Sequence, residues 1–247
     1  MKKLILLRHG ESEWNLLNKF TGWTDVKLTK KGTQEAESAA NKILNEKIEV
    51  ESVYTSLLSR SIHTAKIVSN IINFPLDNIQ YDWRLNERHY GALQGLNKSE
   101  TAKKYGESQV KLWRRSYEIS PPKLSIDDKR HPRFNAKFNN LSQSLPAGES
   151  LKDVINRLNP FWVNYFNKKN FIEKNSLIVA HSNSLRAIIK ILDKLNEEEI
   201  VSINIPTGVP LVYSLDDNLD IINKKYLIDD NELKKKQSLI ASQGKAL

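Results

Sequence analysis

Two short apolar runs in this sequence each end on a histidine. Residues 4–7 (LILL) lead into Arg8, His9 and Gly10, and residues 177–180 (LIVA) lead into His181. Apolar runs this short read as buried strands, since they cannot stand alone as helices. Both histidines then fall at the carboxyl ends of strands, where open α/β sheets place their ligands. A neutral imidazole is a nucleophile near pH 7 when its other ring nitrogen holds the proton, for instance on a backbone carbonyl. The guanidinium of Arg8 offers a planar fork that matches phosphate oxygens. Together these groups suit transfer of a phosphoryl group to nitrogen. Gly10 would let the chain turn and approach a ligand, and Asn15 adds a side-chain donor.

Further candidates lie elsewhere in the chain. Arg60 falls in the first turns of a helix expected over 57–72, close to the end of a strand at 53–55. Glu87 sits in a loop, 85–100, that also holds two glycines and several donors. If the two strand-end histidines are neighbours in a parallel sheet, Arg8, Arg60 and His181 would stabilise charge on a transferring group. Glu87 would be the general acid and base. Each residue also has a plainer reading. A single histidine after a strand is more often structural, and Glu87 alone would be a surface partner of Arg84 or Arg88. His63, one turn beyond Arg60, reads as structural.

Several elements must position these groups. Thr29 can cap a helix whose Ala36, Ala39, Ala40, Ile43 and Leu44 share a face. Residues 79–85 look extended, and 103–113 have helical spacing that ends near Arg114 and Arg115. The Pro- and Asn-rich stretch 121–146 reads as an excursion over the surface. Ser150 begins a helix with Leu151, Val154, Ile155 and Leu158 on one face, which Pro160 is expected to kink. Asn183 or Ser184 can cap the helix after His181. Residues 197–202 suggest a short helix, and 211–215 and 221–226 the last strands. The polar tail from about 229 is expected to be mobile and to serve as a lid.

Composition narrows the class. The chain has 247 residues, no cysteine, and 38 Lys and Arg against 29 Asp and Glu, a formal charge of +9. Thiolate chemistry and disulfides are excluded. No apolar run is long enough to span a membrane, and the start MKKLILLRHGE lacks the features of a signal peptide, so a cytoplasmic protein is expected. The positive charge suits small anions or nucleic acid. Lys234, Lys235 and Lys236 form the densest basic run, a weak nucleic-acid signal, and a nucleic-acid module leaves the two histidines unexplained. Neither HExxH nor a Cys/His cluster is present, so no metal is expected.

RHGESEWN at 8–15 resembles the active-site motif of the histidine phosphatase superfamily. Further stretches match its phosphoglycerate mutases, the kind primed by 2,3-bisphosphoglycerate. These are FTGW at 20–23, SLLSRSIHT at 56–64, LNERHYGALQGLNKSET at 85–101, WRRSYEISPP at 113–122, AHSNSLRA at 180–187, NIPTGVPLVY at 204–213 and the terminal ASQGK. The resemblance covers nearly the whole chain. It implies an α/β fold, a mostly parallel central sheet flanked by helices on both faces, in one domain over 1–247 with a surface insertion around 90–146. It implies interconversion of 3-phosphoglycerate and 2-phosphoglycerate through a phosphorylated His9, with side activities on the bisphosphate, and a homodimer. By match of motif, Arg8, His9, Asn15, Arg60, Glu87 and His181 would carry the chemistry. Thr21, Gly22, Arg88, His89, Tyr90, Lys98, Arg114, Arg115, Ser182 and Asn183 would bind substrate. Two positions depart from the family: Ser182 stands where glycine is usual, and PAGE at 146–149 is closer to the wider superfamily. A phosphatase of the same fold is the alternative.

Overall fold

A computed structural model describes residues 2–141, 145–166, 175–218, 220–243 and 245. Its centre is a six-stranded sheet of order β3-β2-β4-β1-β5-β6. The strands are β1 (Lys2–Arg8), β2 (Ser52–Thr55), β3 (Gln80–Tyr81), β4 (Ser176–Ala180), β5 (Leu211–Leu215) and β6 (Ile221–Tyr226). β3, β2, β4 and β1 are mutually parallel, while β5 runs antiparallel to both β1 and β6. The sheet is thus mixed and mostly parallel.

The LILL run is continuous rather than alternating because both faces of β1 are covered. Ile5 and Leu7 pack with Ala39, Ala40 and Ile43 of α2 (Lys30–Asn45) and with Ala65 and Val68 of α3 (Ser59–Ile71). Leu4 and Leu6 point the other way, against Leu151, Val154, Leu158 and Phe161 of α6 (Leu151–Phe166) and Leu185, Ile188 and Ile189 of α7 (Ser182–Leu192). β1 and β4 pair with Arg8 opposite Ala180. The residues that follow each strand are therefore neighbours, and the His9 amide donates to the Ala180 carbonyl at 3.0 Å.

Thr29 caps α2 as expected, its hydroxyl accepting from the Gly32 amide. Several local expectations change. Only Gln80–Tyr81 of the extended 79–85 stretch is strand, because the Asp82 carboxylate accepts from the Arg84 amide and turns 83–85 into a tight helical turn. The helix expected over 103–113 is two helices, α4 (Lys98–Tyr105) and α5 (Glu107–Arg115). They break at Gly106, whose φ of 86° suits glycine, and Asn97 starts α4 early by capping it. The stretch 121–146 buries Leu124, His131, Pro132 and Phe138, with the Phe138 ring 4.8 Å from that of Trp23. α7 starts at Ser182 with His181 as its N-cap, two residues sooner than a cap at Asn183 and three sooner than one at Ser184 would allow. Ser184 instead reaches back from the first turn, its hydroxyl accepting from the His181 amide. α6 is continuous through Pro160. Asp229 caps α9 (Asp230–Ser242), a helix with no buried residue, where only a polar tail was legible. The described residues also form the short helices α1 (Glu13–Leu16) and α8 (Glu199–Ser202).

Gly10 also makes a close backbone contact that no other residue could make. A Cβ there would lie 2.0 Å from the Gly32 carbonyl oxygen, and one on Gly32 would lie 2.0 Å from the carbonyl oxygen of Glu11. The loop after β1 thus packs backbone to backbone on the first turn of α2, with no room for a side chain. Gly32→Ala should lower the unfolding free energy in urea by about 2 kcal/mol or more, in the overpacking range. Gly106→Ala, which meets no atom within 4 Å, should lose about 1 kcal/mol from its positive φ alone. A Gly32→Ala loss under about 0.5 kcal/mol, the level of an ordinary surface change, would contradict this packing.

Candidate active site

The end of β1 delivers His9 into a buried position, and two hydrogen bonds fix its ring. Nδ1 lies 2.7 Å from the carbonyl oxygen of Gly10, so it must carry the proton. Nε2 is then an acceptor, and the Arg60 Nε–H donates to it at 3.3 Å. The rest of the Arg60 guanidinium is held by the Thr24 and Gly22 carbonyls, at 3.0 and 2.9 Å. The His181 ring stands edge-on to His9, with centroids 4.9 Å apart. Its Nε2 is 2.8 Å from the Ser56 hydroxyl, which already accepts from the Leu58 amide. With the Ser56 hydroxyl donating to Nε2, the His181 proton stands on Nδ1, a buried atom of the ring.

A cleft opens beside these groups. Arg8 and Ser182, chain neighbours of the two histidines, line it together with Asn15, Thr21, Gly22, Glu87, Tyr90, Lys98, Arg114, Arg115, Asn183 and Arg186. His9, Arg60 and His181 are not themselves in its wall. They are buried next to it, joined through the Arg60–Gly22 bond. The Glu87 carboxylate is turned into place by two amides, those of Arg88 at 2.8 Å and Asn183 at 3.0 Å, both donating to Oε1. Glu87 forms no ion pair with Arg84, which pairs with Asp82 instead. On the open side, Ile240 and Gln243 of the C-terminal segment reach the cleft, and the Lys98 ammonium donates to Gln243 Oε1 at 3.1 Å.

The model of the histidine phosphatase superfamily (branch 1) matches residues 4–132. A 2,3-bisphosphoglycerate-dependent phosphoglycerate mutase of Treponema denticola is 48% identical over 244 residues, 98% of this chain and 99% of the relative. One of Borreliella afzelii is 49% identical over 246 residues, 99% of each chain. The chain belongs to this family. Solved structures agree on the fold. A mycobacterial glucosyl-3-phosphoglycerate phosphatase superposes with a TM-score of 0.69 at 20% identity, covering 93% of this chain and 99% of its own. Bacillus stearothermophilus YhfR does so with 0.65 at 23% identity, covering 90% and 94%.

Most of the residues expected from the family motifs line the cleft, His9, Arg60 and His181 touch one another beside it, and Arg88 and His89 are buried outside its wall. Arg88 is buried outside the cleft wall, its Nη2 donating to the Trp113 and Arg114 carbonyls at 2.7 and 2.6 Å. A cation there suits the carboxyl end of α5 and fixes the helix end that presents Arg114 and Arg115. His89 is also behind the wall, where its Nδ1 accepts from the Gly91 amide at 3.0 Å. Ser182 begins α7 outside the left-handed region, so its side chain fits without strain. His63 is exposed and does not line the cleft. Arg186 and Ser56 were missed. Arg186 reaches the Asn183 Oδ1 at 3.0 Å and the Ile200 carbonyl at 2.6 Å. Both lie inside recognised motifs, but nothing in their spacing marked them.

The charge balance is uneven. Six buried or half-buried cations, Arg8, Lys19, Lys98, Arg114, Arg115 and Arg186, line the cleft against one carboxylate, Glu87. Burial, then Arg114, Arg8 and Arg115, pushes the Lys98 ammonium well below its ordinary pKa. Burial and neighbouring cations likewise bring Arg114 to about 10 and Arg186 to about 9. Burial, with Arg60 and Arg8, holds the His9 imidazolium well below the ordinary histidine value. His181 is lowered in the same way, and His89 to about 3.

These histidines are neutral in the fold and become protonated when unfolded below about pH 6.5. Their contribution to stability is complete above that pH and is lost as pH falls below it, since only the unfolded chain then binds the extra protons. Each should add a slope of about 1.4 kcal/mol per pH unit. Urea unfolding between pH 7 and 5 should show stability falling with more than one proton taken up. Stability that is flat, or that rises toward pH 5, would contradict the buried neutral state.

Proposed function

We infer that this chain interconverts 3-phosphoglycerate and 2-phosphoglycerate through a phosphorylated His9. One observation carries the reading: a neutral imidazole, its Nδ1 proton on the Gly10 carbonyl, presents Nε2 beside a cleft lined by cations. The curated relatives named as such mutases support the substrate, and the charge excess suits a carboxylate with one or two phosphoryl groups. 2,3-Bisphosphoglycerate supplies the priming phosphoryl group.

His9 Nε2 forms the new bond to phosphorus as the bond from phosphorus to the donor oxygen breaks. Arg8, Arg60 and the Nδ1–H of His181 offset charge on the equatorial oxygens. Glu87 gives a proton to the departing oxygen, and in the reverse transfer it takes one from the attacking hydroxyl. Lys98, Arg114 and Arg115 hold the carboxylate and the distal phosphoryl group, and bidentate guanidinium pairing suits both. Asn15, Thr21, Gly22, Tyr90, Ser182, Asn183 and Arg186 complete the wall. α9, with Ile240 and Gln243 at the cleft, acts as the lid that keeps water out. In this reading Arg88 and His89 support the wall from behind. No step needs a metal, and arginines fill the electrostatic role. A homodimer working in the cytoplasm is part of the same reading. No described helix is long and apolar enough to cross a membrane.

The direct test is an enolase-coupled assay with and without added 2,3-bisphosphoglycerate. Priming should raise turnover, EDTA should leave it unchanged, and the bisphosphate should label the protein in an acid-labile, base-stable form. His9→Ala should abolish both label and turnover. Label that persists in His9→Ala would overturn the assignment.

A further inference from the structure

The loop that carries Glu87 is gripped on both sides by a single buried ion pair. Arg157, on α6, and Glu149, just before that helix, pair in bidentate fashion. Nε donates to Oε1 at 2.7 Å and Nη2 to Oε2 at 3.0 Å, and both side chains are only 5% exposed. The Arg157 guanidinium also donates to main-chain carbonyls of the loop. Nη1 reaches Arg84 at 2.7 Å, with longer contacts to Trp83 and Asn86, and Nη2 reaches Asn86 and Glu87 at 3.3 Å. Glu149 closes the far side: its Oε2 accepts from the His89 amide at 2.8 Å, and its own amide donates to the His89 carbonyl at 2.9 Å. The Trp23 and Trp83 rings lie 5.7 and 5.8 Å from the guanidinium carbon. Trp23 Nε1 donates to the Glu87 carbonyl at 2.6 Å.

Neither Arg157 nor Glu149 lines the cleft. Their bonds nevertheless converge on the residues either side of Glu87. We propose that Arg157, locked by Glu149, is a positioning residue that sets where the Glu87 carboxylate stands for proton transfer. The proposal rests on the reading that Glu87 moves the proton. A guanidinium has five donors in a rigid fork, and here they serve a carboxylate and several carbonyls at once. An ammonium has the charge but not the fork. A catalytic group displaced by an ångström can lose about a hundredfold in rate. The cations that hold substrate lie elsewhere in the wall, so binding should be spared.

The test is a double-mutant cycle in the full-length protein with Arg157→Lys and Glu87→Gln. It is read by steady-state turnover and by single-turnover phosphorylation of His9 from radiolabelled 2,3-bisphosphoglycerate, followed for hours where slow. Arg157→Lys should lower kcat by about tenfold or more while KM for 3-phosphoglycerate stays within about threefold. In the Glu87→Gln background the same change should cost less than about threefold more, because the group it positions is already gone. An equal loss in both backgrounds, a KM that rises in step, or an unchanged kcat would overturn the proposal. Should Arg157→Lys fail to fold, Glu149→Gln, which leaves the guanidinium on the loop carbonyls but weakens its lock, should show the same pattern with a smaller loss. Wild-type turnover in Glu87→Gln would overturn the reading of Glu87 itself, and this proposal with it. A crippled Glu87→Gln with a silent Arg157→Lys would overturn only the proposal.

Discussion

The hydrogen bond from His9 Nδ1 to the Gly10 carbonyl, 2.7 Å long, is the constraint on which the site depends. It decides which nitrogen is bare, and the fold is built to keep it. The Gly10 amide donates to Thr64 on α3 at 3.1 Å, and the Gly10 α-carbon lies against the backbone of Gly32 too closely for a side chain. The peptide that holds the imidazole is therefore held between two helices. The same loop follows a strand whose register places His9 next to the end of β4, so His181 arrives beside it through main-chain pairing alone.

Around that pair the chain accepts an electrostatic penalty. Cations buried without carboxylate partners are unfavourable, and their lowered pKa values record this. Some of the penalty is met by carbonyls at helix and loop ends, as for Arg115 on Ile203 and Arg186 on Ile200. The rest suits an anionic ligand that supplies the missing charge. The arrangement is preorganised: donors stand in place before charge develops, which is where such sites gain most of their effect.

Much of this was legible in the residues. The two apolar runs read as strands because both faces of each are covered, and the final strands came with the expected bounds at 211–215 and 221–226. The register between β1 and β4 was not legible, since it depends on packing between segments some 170 residues apart. Glu87 in isolation resembled a surface carboxylate, and only the amides of Arg88 and Asn183 show otherwise. Ser56, Arg157 and Arg186 escaped notice for the same reason: each acts through partners distant in sequence, with no local spacing to betray it. α9 was hidden because it buries no side chain and so shows no apolar stripe.

The central claim is the protonation state and exposed atom of His9. Nitrogen-15 NMR of histidine-labelled protein at pH 7 measures both directly, with His9→Gln to assign the signal. A neutral ring with its proton on Nδ1 should be seen, and after treatment with 2,3-bisphosphoglycerate the phosphoryl group should sit on Nε2. An imidazolium, a proton on Nε2, or a phosphoryl group on Nδ1 would contradict the account.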